Sequence, residues 1–364
     1  MELPTDVPPP PSGSGPAALA ARLASRTRPG VLVARVPESG RLQCTACAHR
    51  CVLAEGVAGA CGVRFQRDGE LRVPFGYVAA RHVRPIEANT IFHLRPGARA
   101  LTFGMLGCDL RCPYCQNWRT SQALREGLID AALTDLPPEQ LVAEAVAAGC
   151  GAVCSAYNEP MITAEWAHAV FAVARGYGLA TALVSDGNTT PEALAYLRPV
   201  TDVFRVDLKG YDDQQYRTLG GRLATVWESI RTARRLGFWV EVVTLVVPGF
   251  NDDPQGLRQL AAGLAAVDTD LPWHLNAFVP RYRMRDRPRT AAAVLVSAAG
   301  SAYAKGMRYV YVGNVPDRVP ELSHTRCPRC GLVVVRRRDY RTEGTALRGG
   351  ACAGCGAPVA GRWS

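Results

Sequence analysis

The chain predicts an α/β fold: a partial (β/α)6 barrel of the TIM type, with an N-terminal Cys-rich extension and a C-terminal zinc ribbon. Three observations carry this reading. From residue 99 to about 314, strand-like apolar runs alternate with helix-like ones, the pattern of a parallel sheet built from βα units. Ahead of that region Cys44, Cys47, Cys51 and Cys61 fall close together. After it come two C-x2-C-G knuckles, Cys327–Gly331 and Cys352–Gly356. The parts are then a tail (1–30), the Cys-rich extension (31–98), the barrel (99–320) and the ribbon (321–364). A chain of 364 residues, 48% of them hydrophobic, has the means to bury a sizeable core.

The tail is rich in Pro, Gly and Ala and is expected to be mostly disordered, with a short helix over Ala17–Ser25. In the extension the cysteines are spaced C-x2-C-x3-C-x9-C, with His49 between them. Four sulfurs suffice for a closed tetrahedral zinc site, His49 being a substitute ligand; a second iron–sulfur cluster is the competing reading. In the barrel, strands are expected at 99–106, 151–157, 179–185, 202–208, 238–247, 273–279 and 307–312. Helices are expected at 138–148, 161–176, 191–197, 223–236, 254–267 and 289–304. Pro137-Pro138-Glu139 starts a helix well and Gly149 stops one. Chemistry in such barrels sits at the C-terminal ends of the strands. In the ribbon, Cys327, Cys330, Cys352 and Cys355 read as a zinc site, with rubredoxin-like iron as the alternative. About 40 residues bury too little surface to fold alone, so the ribbon is expected to fold on its own metal.

Composition narrows the function. Net charge is +10, and every basic residue except Lys209 and Lys305 is arginine. Eight arginines lie in 321–364 against three acids; this reads as a solvated face, and nucleic acid is not expected as a partner. Thirteen cysteines in close groups argue for metal ligation in a reducing compartment rather than disulfides. No apolar signal region opens the chain, and the longest uncharged small or apolar run, Ala291–Ala304, is too short to span a bilayer. A soluble, cytoplasmic protein is expected.

The central motif follows the first barrel strand: Gly107-Cys108-Asp109-Leu110-Arg111-Cys112-Pro113-Tyr114-Cys115, spaced C-x3-C-x2-C. Three thiolates on one short loop can hold an iron–sulfur cube and leave its fourth iron open to a small chelating molecule. At later strand ends stand Tyr157-Asn158-Glu159-Pro160, Ser185-Asp186-Gly187-Asn188 and Asp207-Leu208-Lys209-Gly210. A carboxylate there suits a bound ammonium. Asp207 and Lys209 alternate with Leu208, so both can face the barrel mouth.

These residues, with Cys44–Cys61 and Arg84-Pro85-Ile86-Glu87, resemble the radical S-adenosylmethionine (SAM) superfamily. Over about residues 41–320 they are similar to the AmmeMemoRadiSam-system radical SAM enzymes, relatives of pyruvate formate-lyase-activating enzyme. Ala48 departs from the proline common there, and Tyr157-Asn158 from the generic Gly-Gly. The resemblance implies an oxidoreductase in which Cys108, Cys112 and Cys115 hold a 4Fe–4S cluster that cleaves SAM to a 5′-deoxyadenosyl radical. It implies cofactor contacts from Tyr114 (adenine), Asn158, Glu159 (ammonium), Ser185, Asp186 and Asp207. Asp207, Lys209 and His274 are the catalytic candidates. An electron donor such as flavodoxin or ferredoxin, and a protein substrate, are the partners implied. Hydrogen abstraction from an unidentified substrate is the first functional expectation. Activation of a glycyl radical enzyme is the second, and a nucleic-acid-binding metalloprotein the third.

Overall fold

The computed structural model describes residues 16–364 except 38, 129, 316–318 and 339. Its centre is one open eight-stranded sheet whose strands follow chain order: β1 (Ala80–Pro85), β2 (Arg99–Gly104), β3 (Ala152–Ser155), β4 (Ala180–Ser185), β5 (Val203–Asp207), β6 (Trp239–Val246), β7 (Trp273–Ala277) and β8 (Val310–Gly313). β2 to β8 are parallel, and β1 runs antiparallel to β2. All seven expected strands occur, most of them shorter than expected, the last shifted to end one residue later. β1 was not legible, because Ala80-Arg81-His82-Val83-Arg84-Pro85 carries no apolar alternation; its residues are half-buried along an edge.

The parallel strands are joined by helices. These are α2 (Pro138–Ala147), α3 (Ala164–Gly176), α4 (Pro191–Leu197), α5 (Asp213–Leu219), α6 (Leu223–Arg235), α7 (Pro254–Val267) and α8 (Ala292–Ala304). Their starts follow local chemistry. Thr190, Asp212 and Asp253 each accept a backbone N–H of the first turn, satisfying donors that have no partner inside the helix. Proline opens α2, α4 and α7, where its fixed φ costs nothing. Since the strands are parallel, their C-terminal ends and the loops that follow share one edge of the sheet.

The tail needs a correction. Residues 1–15 lie outside the described residues, but 16–30 are ordered. Helix α1 (Pro16–Ala24) buries Leu19 and Leu23, and Thr27–Pro29 pairs with Glu70–Pro74. The short helix expected over Ala17–Ser25 is thus present, its i, i+4 leucine pair giving it an apolar stripe; the departure is the order of the rest of 16–30. The extension forms two further small antiparallel sheets, 33–35/42–44/52–53 and 27–29/70–74/65–67. It is fastened to the sheet's helices by one buried ion pair. The Arg64 guanidinium donates to both Glu165 carboxylate oxygens at 2.7 and 2.9 Å, and neither residue is exposed.

The C-terminal segment forms small sheets of its own that pack against the central sheet rather than standing apart. Strands β9 (Val333–Arg338) and β10 (Arg341–Thr345) pair antiparallel. Val334, Cys327 and Cys352 pack on Phe92, Tyr309 and Tyr311. Arg337 is buried, donating to the Phe92 carbonyl at 2.5 Å and the Thr325 hydroxyl at 2.7 Å. Thr342 donates to buried Glu87.

Candidate active site

Gly107, at φ +100°, turns the chain from β2 into the cysteine loop. A Cβ there would stand 3.0 Å from the Cys61 carbonyl oxygen, so both conformation and contact require glycine. The loop is braced from outside. Gln122 and Arg125 donate to the Leu110 carbonyl, and Arg125 also to that of Cys108. Leu110, Cys112 and Tyr114 share an apolar cluster with Leu219, Val247 and Phe278. The Cys115 sulfur lies 3.1 Å from the Ser121 hydroxyl.

Three carboxyls close over this loop. Asp186 Oδ2 lies 3.7 Å from Cys108 Sγ, and Asp109 and Asp186 stand with Cys108 within 4.8 Å of one another. Asn188 donates to Asp109 at 2.8 Å. Glu159 accepts from Ser185 Oγ and the backbone N–H groups of Met161 and Asp186, at 2.7–2.9 Å. It therefore caps the turn after β3 and ties it to the end of β4. Burial pushes the three carboxyls up, Asp109 to about 6 and Asp186 to about 8, each reinforced by a neighbouring carboxylate. Burial likewise pushes the Cys112 thiol up to about 12. Thiols and acids massed in this way favour a cationic occupant.

The nearby cations come from β5. Arg205 and Lys209 each pair with Asp207, at 2.7 and 2.8 Å. Burial opposes the Lys209 charge, but Asp207 and the Cys112 sulfur outweigh it and hold the ammonium. The same pairing holds Asp207 below the usual carboxylate range despite its burial. Tyr114 is buried against Phe250, and its hydroxyl has no hydrogen-bond partner among the described residues.

The sequence candidates thus divide. Tyr114, Ser185, Asp186, Asp207 and Lys209 gather around the cysteine loop with Glu159. Asn158 is engaged by its own chain: Oδ1 accepts from Met105 and Nδ2 donates to the Glu159 carbonyl. Tyr157 takes φ +66°, a left-handed conformation natural to glycine. His274 is not brought to the loop. It bonds Glu241 at 2.7 Å and stacks on Tyr311, in a buried network with Phe92 that lies under the C-terminal segment. Asp109, Gln122, Arg125 and Arg205 went unread; Asp109 alone carried a signal, as the only acid within the motif.

The four ribbon cysteines also converge. Their sulfurs lie within 4.8 Å of one another, Cys327–Cys355 at 3.6 Å and Cys330–Cys352 at 3.7 Å. Four thiolates about 2.3 Å from a tetrahedral zinc stand roughly 3.8 Å apart, so these residues could hold such an ion. No helix of the described residues is long and apolar enough to cross a membrane.

The sequence profile of the Radical SAM superfamily matches residues 103–261. An uncharacterised protein of Methanocaldococcus jannaschii is 31% identical over 308 residues, 84% of this chain and 90% of that protein. Pyruvate formate-lyase-activating enzyme of Streptococcus mutans is 27% identical over 172 residues, 45% of this chain and 65% of the enzyme. Among solved structures, a radical SAM methyltransferase from Sphaerobacter thermophilus aligns with a TM-score of 0.48 and 14% identity, covering 80% of each chain.

Proposed function

The chain belongs to the radical SAM superfamily of enzymes, and from that premise we propose that Cys108, Cys112 and Cys115 hold a 4Fe–4S cluster whose open iron takes SAM. The observation that carries this reading is the three-thiol loop set against three buried carboxyls at one sheet edge. When bound, the pair supplies one-electron cleavage of the SAM sulfonium and a carbon radical able to abstract hydrogen. The chain's own residues hold and orient. Asp186, the carboxyl nearest a ligand sulfur, receives the SAM ammonium; Glu159 fixes the turn that aims it. The unpartnered Tyr114 hydroxyl and the ring beneath it offer a polar tip and a stacking face to the nucleoside end. Arg205 and Lys209 fix Asp207 as an anion toward the ribose or the substrate, and the Leu110–Phe278 cluster keeps water from the loop. The ribbon cysteines hold a structural zinc. Single electrons come from a carrier of the flavodoxin or ferredoxin class.

The test is anaerobic reconstitution followed by assay of 5′-deoxyadenosine. Wild type should release it with a strong reductant, and Cys112→Ser should release none while keeping its circular dichroism. Equal release from both proteins would refute the assignment. The similarity to activating enzymes favours a second reading of the substrate, a glycyl radical enzyme. A glycyl radical signal on such a partner after incubation would establish it.

A further inference from the structure

The N-terminal cysteines converge without forming a zinc-sized set. Cys44 ends one strand and Cys51 stands just before its partner strand, the Cys44 N–H bonding the Cys51 carbonyl at 2.9 Å. Cys47 sits in the turn between them. Cys61 is brought over by the 59–62 turn, whose Ala60 N–H donates to Cys51 Sγ at 3.4 Å. Buried Arg64 donates its Nε–H to Cys44 Sγ at 3.2 Å, which suits a thiolate ligand. Yet among the described residues no three of these four sulfurs lie within 4.8 Å of one another, whereas the four ribbon sulfurs do. Cys108, Cys112 and Cys115 likewise form no such set. Among the described residues the N-terminal four thus lack the tight set that the ribbon four form, the spacing a single zinc ion requires.

The two wide sets are also joined. His49 Nε2 lies 3.2 Å from the Asp109 carbonyl oxygen. One Arg125 nitrogen donates to both the Ala60 and the Cys108 carbonyl, at 2.8 and 2.9 Å. Gly107 packs on the Cys61 carbonyl. Each bridge runs from a residue within two positions of an N-terminal cysteine, or from Arg125 beside one, to the residues flanking Cys108.

We propose that Cys44, Cys47, Cys51 and Cys61 hold a second, fully ligated iron–sulfur cluster that relays electrons to the cluster loop. Four thiolates leave no iron open, so this centre binds no substrate and transfers electrons alone. One electron enters from an external one-electron carrier and one leaves to the first cluster; no atom moves. The short path is Cys47-Ala48-His49, across the hydrogen bond to Asp109, and on to Cys108.

The site is tested without SAM, so its failure is distinct from failure of the reading above. The triple variant Cys108→Ala/Cys112→Ala/Cys115→Ala is reconstituted anaerobically as the full chain, and iron, acid-labile sulfide and zinc are counted. About four irons and four sulfides per chain should remain, with one zinc. Iron near zero, with two zincs or one, would overturn the proposal. Adding Cys47→Ser and Cys51→Ser to the triple variant should remove that iron, with ribbon zinc as the check on folding; iron that persists would equally overturn it. The relay is read in His49→Phe. Iron content should match wild type, while reduction of the first cluster by reduced flavodoxin, followed by freeze-quench EPR, should slow at least tenfold. An unchanged rate with both clusters loaded would eliminate the relay.

Discussion

Asp186 and Glu159 show how two carboxyls 27 residues apart divide one task. Glu159 spends its oxygens on Met161, Ser185 and Asp186, while Asp186 accepts one backbone N–H, from Asn188, and turns its other oxygen toward Cys108. Loss of one charge-assisted bond costs about 1.5–3 kcal/mol, so Asp186→Asn should weaken SAM binding about ten- to a hundredfold. Glu159→Gln should instead lower the melting temperature, since it forces an amide N–H into a set of donors. Equilibrium SAM binding to the reconstituted cluster, beside thermal melts, separates the two. A larger affinity loss in Glu159→Gln than in Asp186→Asn would reverse the assignment. The motif spacing put both residues at the right strand ends. Which of them turns an oxygen toward the cysteine loop depends on the turn's own hydrogen bonds, and no spacing encodes that.

At the level of elements, the βα alternation was legible because buried parallel strands and amphipathic helices have different periods. The α7 span, Pro254–Val267, follows the expected bounds. What stayed hidden carried no readable period of its own. Strand β1 has no apolar period of its own, and α5 is a seven-residue helix set by the Asp212 cap and by Tyr216. The extension's attachment was hidden too, since nothing near Arg64 or Glu165 announces that the two meet 101 residues apart. Breaking a buried pair from one side typically costs about 3–5 kcal/mol. Glu165→Gln should therefore destabilise the protein by about that much in urea titration. Arg64→Met/Glu165→Leu should recover a good part of it, because no charge is then left buried alone. A double variant no better than the single would mean that the Val31 and Leu32 N–H groups, which also bond Glu165, dominate the cost.

Across the whole molecule the catalytic edge of the sheet is matched by a buried polar network below it. Glu241 accepts the Phe92 and His93 N–H groups and pairs with His274. His93 donates Nδ1–H to the Ala360 carbonyl and accepts from Tyr311, which fixes the neutral tautomer. Burial lowers its pKa from 6.5 to about 4. Between those values the unfolded chain binds the extra proton and the folded one does not, so stability rises with pH across that window. It is complete above about pH 6.5 and falls away toward pH 4. The shift corresponds to about 3 kcal/mol. His93→Gln should flatten the dependence of stability on pH between 4 and 6.5, measured by denaturant titration at each pH. A slope equal to wild type would place the acid sensitivity elsewhere. Truncation after Glu321 should lower the melting temperature sharply as well as remove one zinc, because it strips Arg337 and Ala360 from this network.

The bond between His93 and Ala360 closes a loop of 267 residues. During synthesis His93 emerges early and its partner does not yet exist. At about 5–20 residues per second the wait is roughly 13–50 s. Until Ala360 is made, His93, and then Glu241 and Tyr311 as they are added, lack the segment that covers them, and the sheet cannot settle at that end. A ribosome that stops short of Ala360 releases a chain whose cysteine loop is complete in sequence but whose frame is not. Closure of this end of the sheet therefore waits on residues made long after His93.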